Sequence, residues 1–256
     1  MEIVVVSLCA FAAALLTLFS GFGLGTLLMP VMALFFPIDI AIAMTAMVHF
    51  SNNMFKGFLV GKEVERRVLL IFGIPAMLFA FLGAFVLISF SALPPLFEYS
   101  WWGKEIEVLP LKFIIGIVIL GFVALELSPK IAKIQFEPKY LPFGGALSGF
   151  FGGLSGNQGA FRSMFLLKAG LSKEQFIATG VMLAIMVDMA RMLVYGVDIS
   201  ISENSDLWVI FYASLAAFLG SYVAAKLIKK VTIESVKRIV SLFLIVISLG
   251  MIVGLV

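Results

Sequence analysis

The sequence predicts an all-α polytopic membrane protein with about eight transmembrane segments. Three observations predict this class: an apolar composition, a series of hydrophobic segments, and a glycine-rich element that occurs twice. Hydrophobic residues make up 62% of the 256 residues and charged residues 13%, with a mean hydropathy of +1.15. Soluble domains carry about 25% charged residues. The chain therefore belongs in a lipid bilayer and has no room for an extramembrane catalytic domain.

The glycine-rich element divides the chain into two homologous halves. It occurs at Ser20-Gly21-Phe22-Gly23-Leu24-Gly25 and again at Leu154-Ser155-Gly156-Asn157-Gln158-Gly159. A shift of 134 positions places Gly159 on Gly25 without a gap. We therefore expect three parts: a first transmembrane repeat at 1–127, a cytoplasmic linker at 128–140 and a second transmembrane repeat at 141–256.

The hydrophobic segments next to each glycine-rich element are short. A helix of 11 to 14 residues spans about 16–21 Å, which is less than the roughly 30 Å of the hydrocarbon core. We therefore expect broken or re-entrant helices at both elements, with the interrupted backbone facing protein or water. The predicted segments are 3–19, 24–36, 38–60, 68–90 and 109–127 in the first half, and 141–154, 158–168, 173–196, 208–228 and 234–255 in the second.

Loop charges predict the orientation of these segments. The basic loops at 61–67, 128–140 and 226–238 are expected in the cytoplasm, and the membrane is expected to be the plasma membrane. The acidic loops at 98–107 and 198–206 are then external. Between its cytoplasmic loop and its external loop, the chain of each half must cross the membrane an odd number of times. A re-entrant pair of segments followed by one full crossing meets this requirement. The halves would then be inverted repeats; four straight spans per half in parallel orientation are the alternative.

The cysteine content and the distribution of basic residues limit which cofactors, metals and partners the chain is expected to bind. Cys9 is the single cysteine and lies in an apolar segment, so no intramolecular disulfide and no cysteine-based metal or redox site is expected. The pI near 9.0 comes from basic residues in short loops, where they orient helices. We therefore expect no cofactor, no metal and no nucleic acid, and the lipid bilayer as the surroundings of the chain.

One motif is typical of an enzyme. Gly153-Leu154-Ser155-Gly156, together with His49 and Asn53, is similar to the serine and histidine motifs of intramembrane rhomboid proteases. Those enzymes need a histidine base after the serine, and no histidine follows position 49. We therefore expect no enzymatic activity.

Both glycine-rich elements resemble those of a known family of membrane proteins. The stretch Gly21-Phe-Gly-Leu-Gly-Thr-Leu-Leu-Met-Pro30, followed by Thr45 and Lys56-Gly57, resembles the first half of the TauE/SafE family of sulfite exporters. The stretch Gly149-Phe-Phe-Gly-Gly-Leu-Ser-Gly-Asn-Gln-Gly159, followed by Ala178-Thr179-Gly180, is similar to its second half. The resemblance implies a secondary carrier that exports small anions such as sulfite, sulfonates or sulfonated carboxylates.

Residue chemistry at the two elements also favours an anion. Half-helices that start after Gly25 and Gly159 present unpaired backbone amides and a positive helix end to a ligand. Arg162 follows one turn later and can bind an oxyanion through two parallel hydrogen bonds. The alternatives are that the glycines only allow close packing, as expected for Gly145 and Gly149, and that Arg162 reaches the cytoplasmic interface. The candidate substrate-binding residues are Gly23, Gly25, Thr26, Ser155, Gly156, Asn157, Gln158, Gly159 and Arg162.

Polar residues inside the other segments are candidates for coupling. His49, Asn52 and Lys56 share one face of a predicted helix with Thr45, and Asn53 lies beside them. His49 can carry a proton near neutral pH or serve as a hydrogen-bonded packing element. Asp188 and Arg191 are spaced for a structural bridge, with Asp188 a second coupling candidate, and Lys56 is interpreted as an interfacial anchor. The coupling candidates are therefore His49, Asn52, Asn53, Asp188 and Arg191.

These features together predict a secondary transporter of small organic or inorganic anions. Duplicated broken helices favour export by alternating access, with protons as a candidate coupling ion. An anion channel with a glycine-lined basic pore is the alternative, since it would use a similar cavity.

Overall fold

A computed structural model describes residues 1–20, 23–128, 134–198, 204–227 and 233–255. Helices dominate this part of the chain, and the helix ends lie close to the predicted segment ends. The helices are α1 (Glu2–Ser20), α2 (Leu24–Met32), α3 (Ile38–Val60), α4 (Arg66–Ser91), α5 (Pro110–Leu127), α6 (Leu141–Ser155), α7 (Gly159–Leu166), α8 (Lys173–Asp198), α9 (Asn204–Leu227) and α10 (Ile233–Ile252). Short 3₁₀ turns occur at Gly61–Glu63 and Pro138–Tyr140.

Three of the described helices are long and apolar enough to cross a membrane. They are Arg66–Ser91, Lys173–Tyr195 and Leu207–Ala224, and shorter apolar stretches occur at Glu2–Thr17, Pro110–Leu125 and Ser241–Ile252. On α4, small residues such as Ala76 and Ala80 are buried, whereas Leu78 and Phe85 are exposed. Large apolar side chains outside and small ones inside are typical of helices in lipid. The chain is therefore an integral membrane protein, and its described residues are all-α apart from one short hairpin.

Helices of the first half pack mainly on helices of the second. α4 lies against α6 and α8, and α9 lies against α1 and α3. α3 also packs on α8, and α5 on α10. The core is therefore shared, because each half buries its helices against the other.

Glycines on α6 bring it into direct backbone contact with α4. A β-carbon at Gly145 or Gly149 would collide with the carbonyl oxygen of Phe72 or Ala76, one turn apart along α4. A β-carbon at Gly153 would collide in the same way with the carbonyl oxygen of Ala80, one further turn along α4. Helices in lipid associate through such close packing of small residues. The packing role expected for Gly145 and Gly149 is confirmed.

Both glycine-rich elements interrupt a helix, as predicted. α1 ends at Ser20 and α2 begins at Leu24, while α6 ends at Ser155 and α7 begins at Gly159. Gly156 closes α6 in the left-handed conformation, with φ of +77°, which glycine adopts without steric cost. α2 has 9 residues and α7 has 8, so neither spans a bilayer as a helix.

A β-hairpin lies between α4 and α5, in a region that the sequence prediction treated as an acidic loop. Strands β1 (Phe97–Trp101) and β2 (Lys104–Val108) pair in antiparallel register. The turn residues Trp102 and Gly103 have φ of +52° and +74°, as a two-residue hairpin turn requires. Tyr99 Oη donates to the carbonyl oxygen of Val253 at 2.5 Å, so the hairpin rests on the end of α10. The available sequence signal was the alternation of Glu105, Ile106 and Glu107 after a Trp-Gly turn.

Candidate functional site

A cavity of about 160 Å³ lies where the first helix break, α3, α7 and the start of α8 meet. Its wall is part polar and part apolar. The lining residues are Thr17, Gly23, Leu24, His49, Asn53, Lys56, Arg162, Ser163, Leu166, Phe176, Ile177, Gly180 and Val181. A larger hollow of about 470 Å³ between the starts of α4 and α6 contains none of the predicted site residues, so the smaller cavity is the candidate site.

The two helix breaks meet beside this cavity. A β-carbon at Gly25 would lie 3.6 Å from the carbonyl oxygen of Gly156 and 4.0 Å from His49 Cδ2. A β-carbon at Gly23 would lie 3.8 Å from His49 Nε2. The glycines therefore allow the two broken backbones and α3 to approach one another closely.

Side chains of the second break are held by hydrogen bonds within it. Ser155 Oγ donates to the carbonyl oxygen of Phe151 at 3.0 Å and accepts from Asn157 Nδ2 at 3.2 Å. Ser148 Oγ donates to the carbonyl oxygen of Gln158 at 3.0 Å. These bonds join the serine side chains to carbonyl oxygens that also accept from backbone N–H groups, such as that of Gln158, which accepts from Arg162 N at 3.1 Å. They also fix the start of α7.

Other polar atoms of the second break are buried without a hydrogen-bond partner. They are Oδ1 of Asn157, and Oε1 and Nε2 of Gln158. A buried polar group without a partner costs free energy, so a binding or conformational role is the usual reason for one. Neither residue lines the cavity.

Arg162 is the central cation of the cavity. It lies on α7 and lines the cavity opposite Gly180 of α8, where a β-carbon would lie 3.6 Å from Arg162 Nε. Its Nη1 atom is buried and has no hydrogen-bond partner. A guanidinium with a free N–H group in a small cavity is suited to bind an oxyanion.

His49, Asp188 and Arg191 form a buried chain of polar contacts behind the cavity. His49 Nδ1 lies 2.6 Å from Asp188 Oδ2, across the α3–α8 interface. Arg191 donates to Asp188 Oδ1 from Nη2 at 2.7 Å and from Nε at 3.1 Å. Asn53 Nδ2 adds a donor 3.5 Å from Asp188 Oδ2. An ionised carboxylate only accepts, so a hydrogen bond at this contact requires the tautomer with a proton on His49 Nδ1.

This chain of contacts extends to the second helix break. Asp188 and Arg191 are at most 1% exposed. Arg191 Nη1 would lie 2.8 Å from a β-carbon at Gly156, and Tyr195 Oη donates to the carbonyl oxygen of Gly153. The bridge that the spacing of Asp188 and Arg191 predicted is confirmed, and it also holds His49 in place.

The predicted polar stripe of α3 divides between two neighbours. In the amide orientation that satisfies both of its groups, Asn52 donates to Ser221 Oγ at 2.8 Å and to the carbonyl oxygen of Ala217 at 3.2 Å. It therefore faces α9. The oxygen of Asn52 accepts from Lys56 Nζ at 3.2 Å. His49, Asn53 and Lys56 face the cavity instead.

Lys56 is a cavity residue that sequence reasoning missed. The sequence was interpreted as placing it at the interface, but the structure places it in the cavity wall with Arg162. The signal was its spacing of seven residues from His49, which is two helical turns along one face.

The predicted binding residues fall into two groups. Gly23 and Arg162 line the cavity, with His49 and Asn53 from the coupling set. The others are buried around the breaks or behind the wall: Gly25, Thr26, Ser155, Gly156, Asn157, Gln158 and Gly159 at the breaks, Asn52 toward α9, and Asp188 and Arg191 behind His49.

Comparison with known proteins gives one result for nearly the whole chain. Curated proteins and solved structures yield no significant match. The family model described as sulfite exporter TauE/SafE matches residues 6–251. This confirms the resemblance of the two glycine-rich elements. The chain belongs to the sulfite exporter TauE/SafE family of membrane transporters.

Proposed function

We propose that this transporter is a secondary carrier that exports small anions such as sulfite or a short sulfonate by alternating access, with the anion bound at Arg162. The observation that carries the proposal is Arg162, whose side chain lines the cavity and whose buried Nη1 has no hydrogen-bond partner. A buried N–H group of a charged residue is costly unless it binds a partner, and an oxyanion supplies two acceptors in the geometry of a guanidinium.

The size of the cavity supports a small substrate. At about 160 Å³ it is well below the roughly 300–1,000 Å³ of pockets for drug-sized ligands. Leu166, Phe176 and Ile177 form an apolar part of the wall. An anionic head group can contact the polar part of the wall while a short carbon tail contacts the apolar part. An inorganic oxyanion would use the polar part alone.

The packing of the helices supports two repeats, at 1–127 and 141–256, around the cytoplasmic linker 128–140. The shift of 134 positions makes α6 the counterpart of α1, and α9 the counterpart of α4. α4 packs on α6, and in the same way α9 packs on α1. α3 packs on its counterpart α8, and α5 on α10. Such reciprocal contacts are expected if a two-fold pseudo-symmetry axis relates the halves. In inverted repeats, rocking of one set of helices exposes a central site to each side in turn.

We place the loops at 61–67, 128–140 and 226–238 in the cytoplasm, with the protein in the plasma membrane, on the basis of their basic residues. Residues 129–133 and 228–232 of these loops lie outside the described residues. The hairpin with Glu98, Glu105 and Glu107 is then external.

His49 is the proposed proton site. One of its ring nitrogens contacts Asp188, and the ring also lines the cavity. A second proton on the ring adds a positive charge next to the anion. The anion and the proton would therefore bind cooperatively. The His49→Gln variant is expected to transport without responding to a pH gradient; an unchanged response would remove His49 from the coupling mechanism.

Flux measurements in proteoliposomes test the anion site. Uptake of radiolabelled sulfite and methanesulfonate is measured with and without a pH gradient for the wild type, Arg162→Ala and Arg162→Lys, with the exposed Arg66→Ala as control. We expect saturable uptake that falls roughly a hundredfold in Arg162→Ala, partly recovers in Arg162→Lys and stays unchanged in Arg66→Ala.

Two results would contradict the proposal. Full activity of Arg162→Ala would move the anion away from this cavity. Unitary currents in planar bilayers, with flux that does not saturate, would instead favour the anion channel.

A further inference from the structure

We propose that the cavity selects anions with two negative charges, and that Lys56 supplies the second positive charge. This inference rests on the proposed anion site at Arg162. It assigns a specificity role to a residue that the sequence placed at the membrane interface.

The cavity wall carries two cations from different halves of the protein. Lys56 comes from α3 and Arg162 from α7, and none of the lining residues is acidic. Asp188 is the buried carboxylate behind the wall, and two hydrogen bonds from Arg191 already occupy its Oδ1. His49 occupies its Oδ2. Asp188 is therefore matched by Arg191, and both wall cations lack a carboxylate partner within the described part of the chain.

The contacts of Lys56 leave it free to bind a ligand. Its Nζ donates to the oxygen of Asn52 at 3.2 Å, and Asn52 is fixed by its own bonds to α9. An amide oxygen orients the ammonium but does not neutralise its charge. An ammonium has three donors, so two are left for a ligand in the cavity.

The energetic argument concerns the step in which the cavity closes. Charges inside a membrane protein are expensive unless they are paired, and the cost rises as water leaves. A ligand with one negative charge leaves either Lys56 or Arg162 without a counter-charge. A ligand with two negative charges compensates both.

The shape of the wall is compatible with such a ligand. Both cations line one cavity of about 160 Å³, so a short molecule reaches both. Phe176 and Ile177 line the same space and can contact a one- or two-carbon spacer. A compact divalent oxyanion such as sulfate satisfies the same two charges without the spacer. The shared chemistry is a small dianion.

Two ligands of nearly equal length separate charge from size. Ethane-1,2-disulfonate has two fixed negative charges, and 2-sulfamoylethanesulfonate, in which a neutral sulfonamide replaces one sulfonate, has one; both keep these charges near neutral pH. Binding of each is measured by isothermal titration calorimetry on the purified full-length protein in detergent. Sulfate is added as a third ligand to distinguish an organic dianion from an inorganic one.

Four variants give the test its controls. Lys56→Gln removes the charge, Lys56→Arg retains it, Arg162→Gln removes the other cation, and Lys62→Gln removes an exposed lysine one turn beyond α3. We expect the wild type to bind the disulfonate at least about tenfold more tightly than the monosulfonate. Lys56→Gln should bring this ratio close to one, Lys56→Arg and Lys62→Gln should keep it, and Arg162→Gln should weaken both ligands.

The outcomes distinguish this inference from the proposed function. Equal binding of both sulfonates by the wild type would overturn the dianion inference and leave the anion site intact. A wild-type preference that persists in Lys56→Gln would overturn the role of Lys56. A folded wild type that binds none of the three anions would overturn the anion site itself, and this inference with it.

Discussion

The two helix breaks have the same position in their halves but different local structures. At the first break, Gly23 has extended backbone angles, and a β-carbon there would meet nothing closer than 3.7 Å. At the second break, Gly156 has φ of +77°, and a β-carbon would lie 2.8 Å from Arg191 Nη1. Gly23 has room for a side chain, whereas Gly156 is held in the left-handed conformation against a buried cation.

The two halves of the chain also contribute different charged and polar side chains to the site. The second half contributes its charges from α7 and α8, with Arg162 in the wall and Asp188 and Arg191 behind it. The first half contributes His49 and Lys56 from α3, and its short helix α2 carries no charged residue. The two proposed repeats therefore contribute unequally to the site, because each half supplies groups that the other lacks. The following predictions test this asymmetry, from the largest expected effect to the smallest.

Asp188→Ala is expected to have the largest effect on stability. It leaves the buried guanidinium of Arg191 without its carboxylate and removes the contact to His49. Removing one partner of a buried ion pair costs about 3–5 kcal/mol. Thermal unfolding in detergent should show a large fall in Tm, and the double variant Asp188→Leu with Arg191→Met should recover part of it. A Tm like that of the wild type would mean that neither the Asp188–Arg191 pair nor the contact of Asp188 with His49 stabilises the fold.

The two break glycines should respond differently to alanine. Gly156→Ala forces a left-handed alanine, at about 1–2 kcal/mol, and also displaces Arg191. Gly25→Ala meets only ordinary contacts, the closest at 3.6 Å, and should leave Tm nearly unchanged. Its transport activity should nevertheless fall if the anion approaches the start of α2. Equal losses of Tm in the two variants would contradict the stricter backbone and steric constraint at Gly156.

Local and long-range features differ in how far the sequence predicted them. Segment ends followed from hydrophobicity, so 38–60 agrees with Ile38–Val60, and the Asp188–Arg191 bridge followed from a spacing of three. The contact of His49 with Asp188 joins residues 139 positions apart, and no spacing rule predicts it. Lys56 was misplaced because a lysine near a helix end usually reaches the interface, whereas here the cavity extends to that end of α3.

The smallest effect on stability is expected for two serine hydroxyl groups, one on α1 and one on α6, which are the first helices of the two halves. Ser148 Oγ on α6 donates to the carbonyl oxygen of Gln158, while Ser7 Oγ on α1 is buried and has no partner. Ser148→Ala should lower the free energy of unfolding by about 1 kcal/mol, since it removes a net hydrogen bond at the second break. Ser7→Ala should be neutral or slightly stabilising, because it removes a polar group that is buried without compensation. The pair is compared by thermal unfolding under identical detergent conditions. If Ser7→Ala proved the more damaging, the second break would not be the one held by side-chain hydrogen bonds, and the structural contrast between the halves would be wrong.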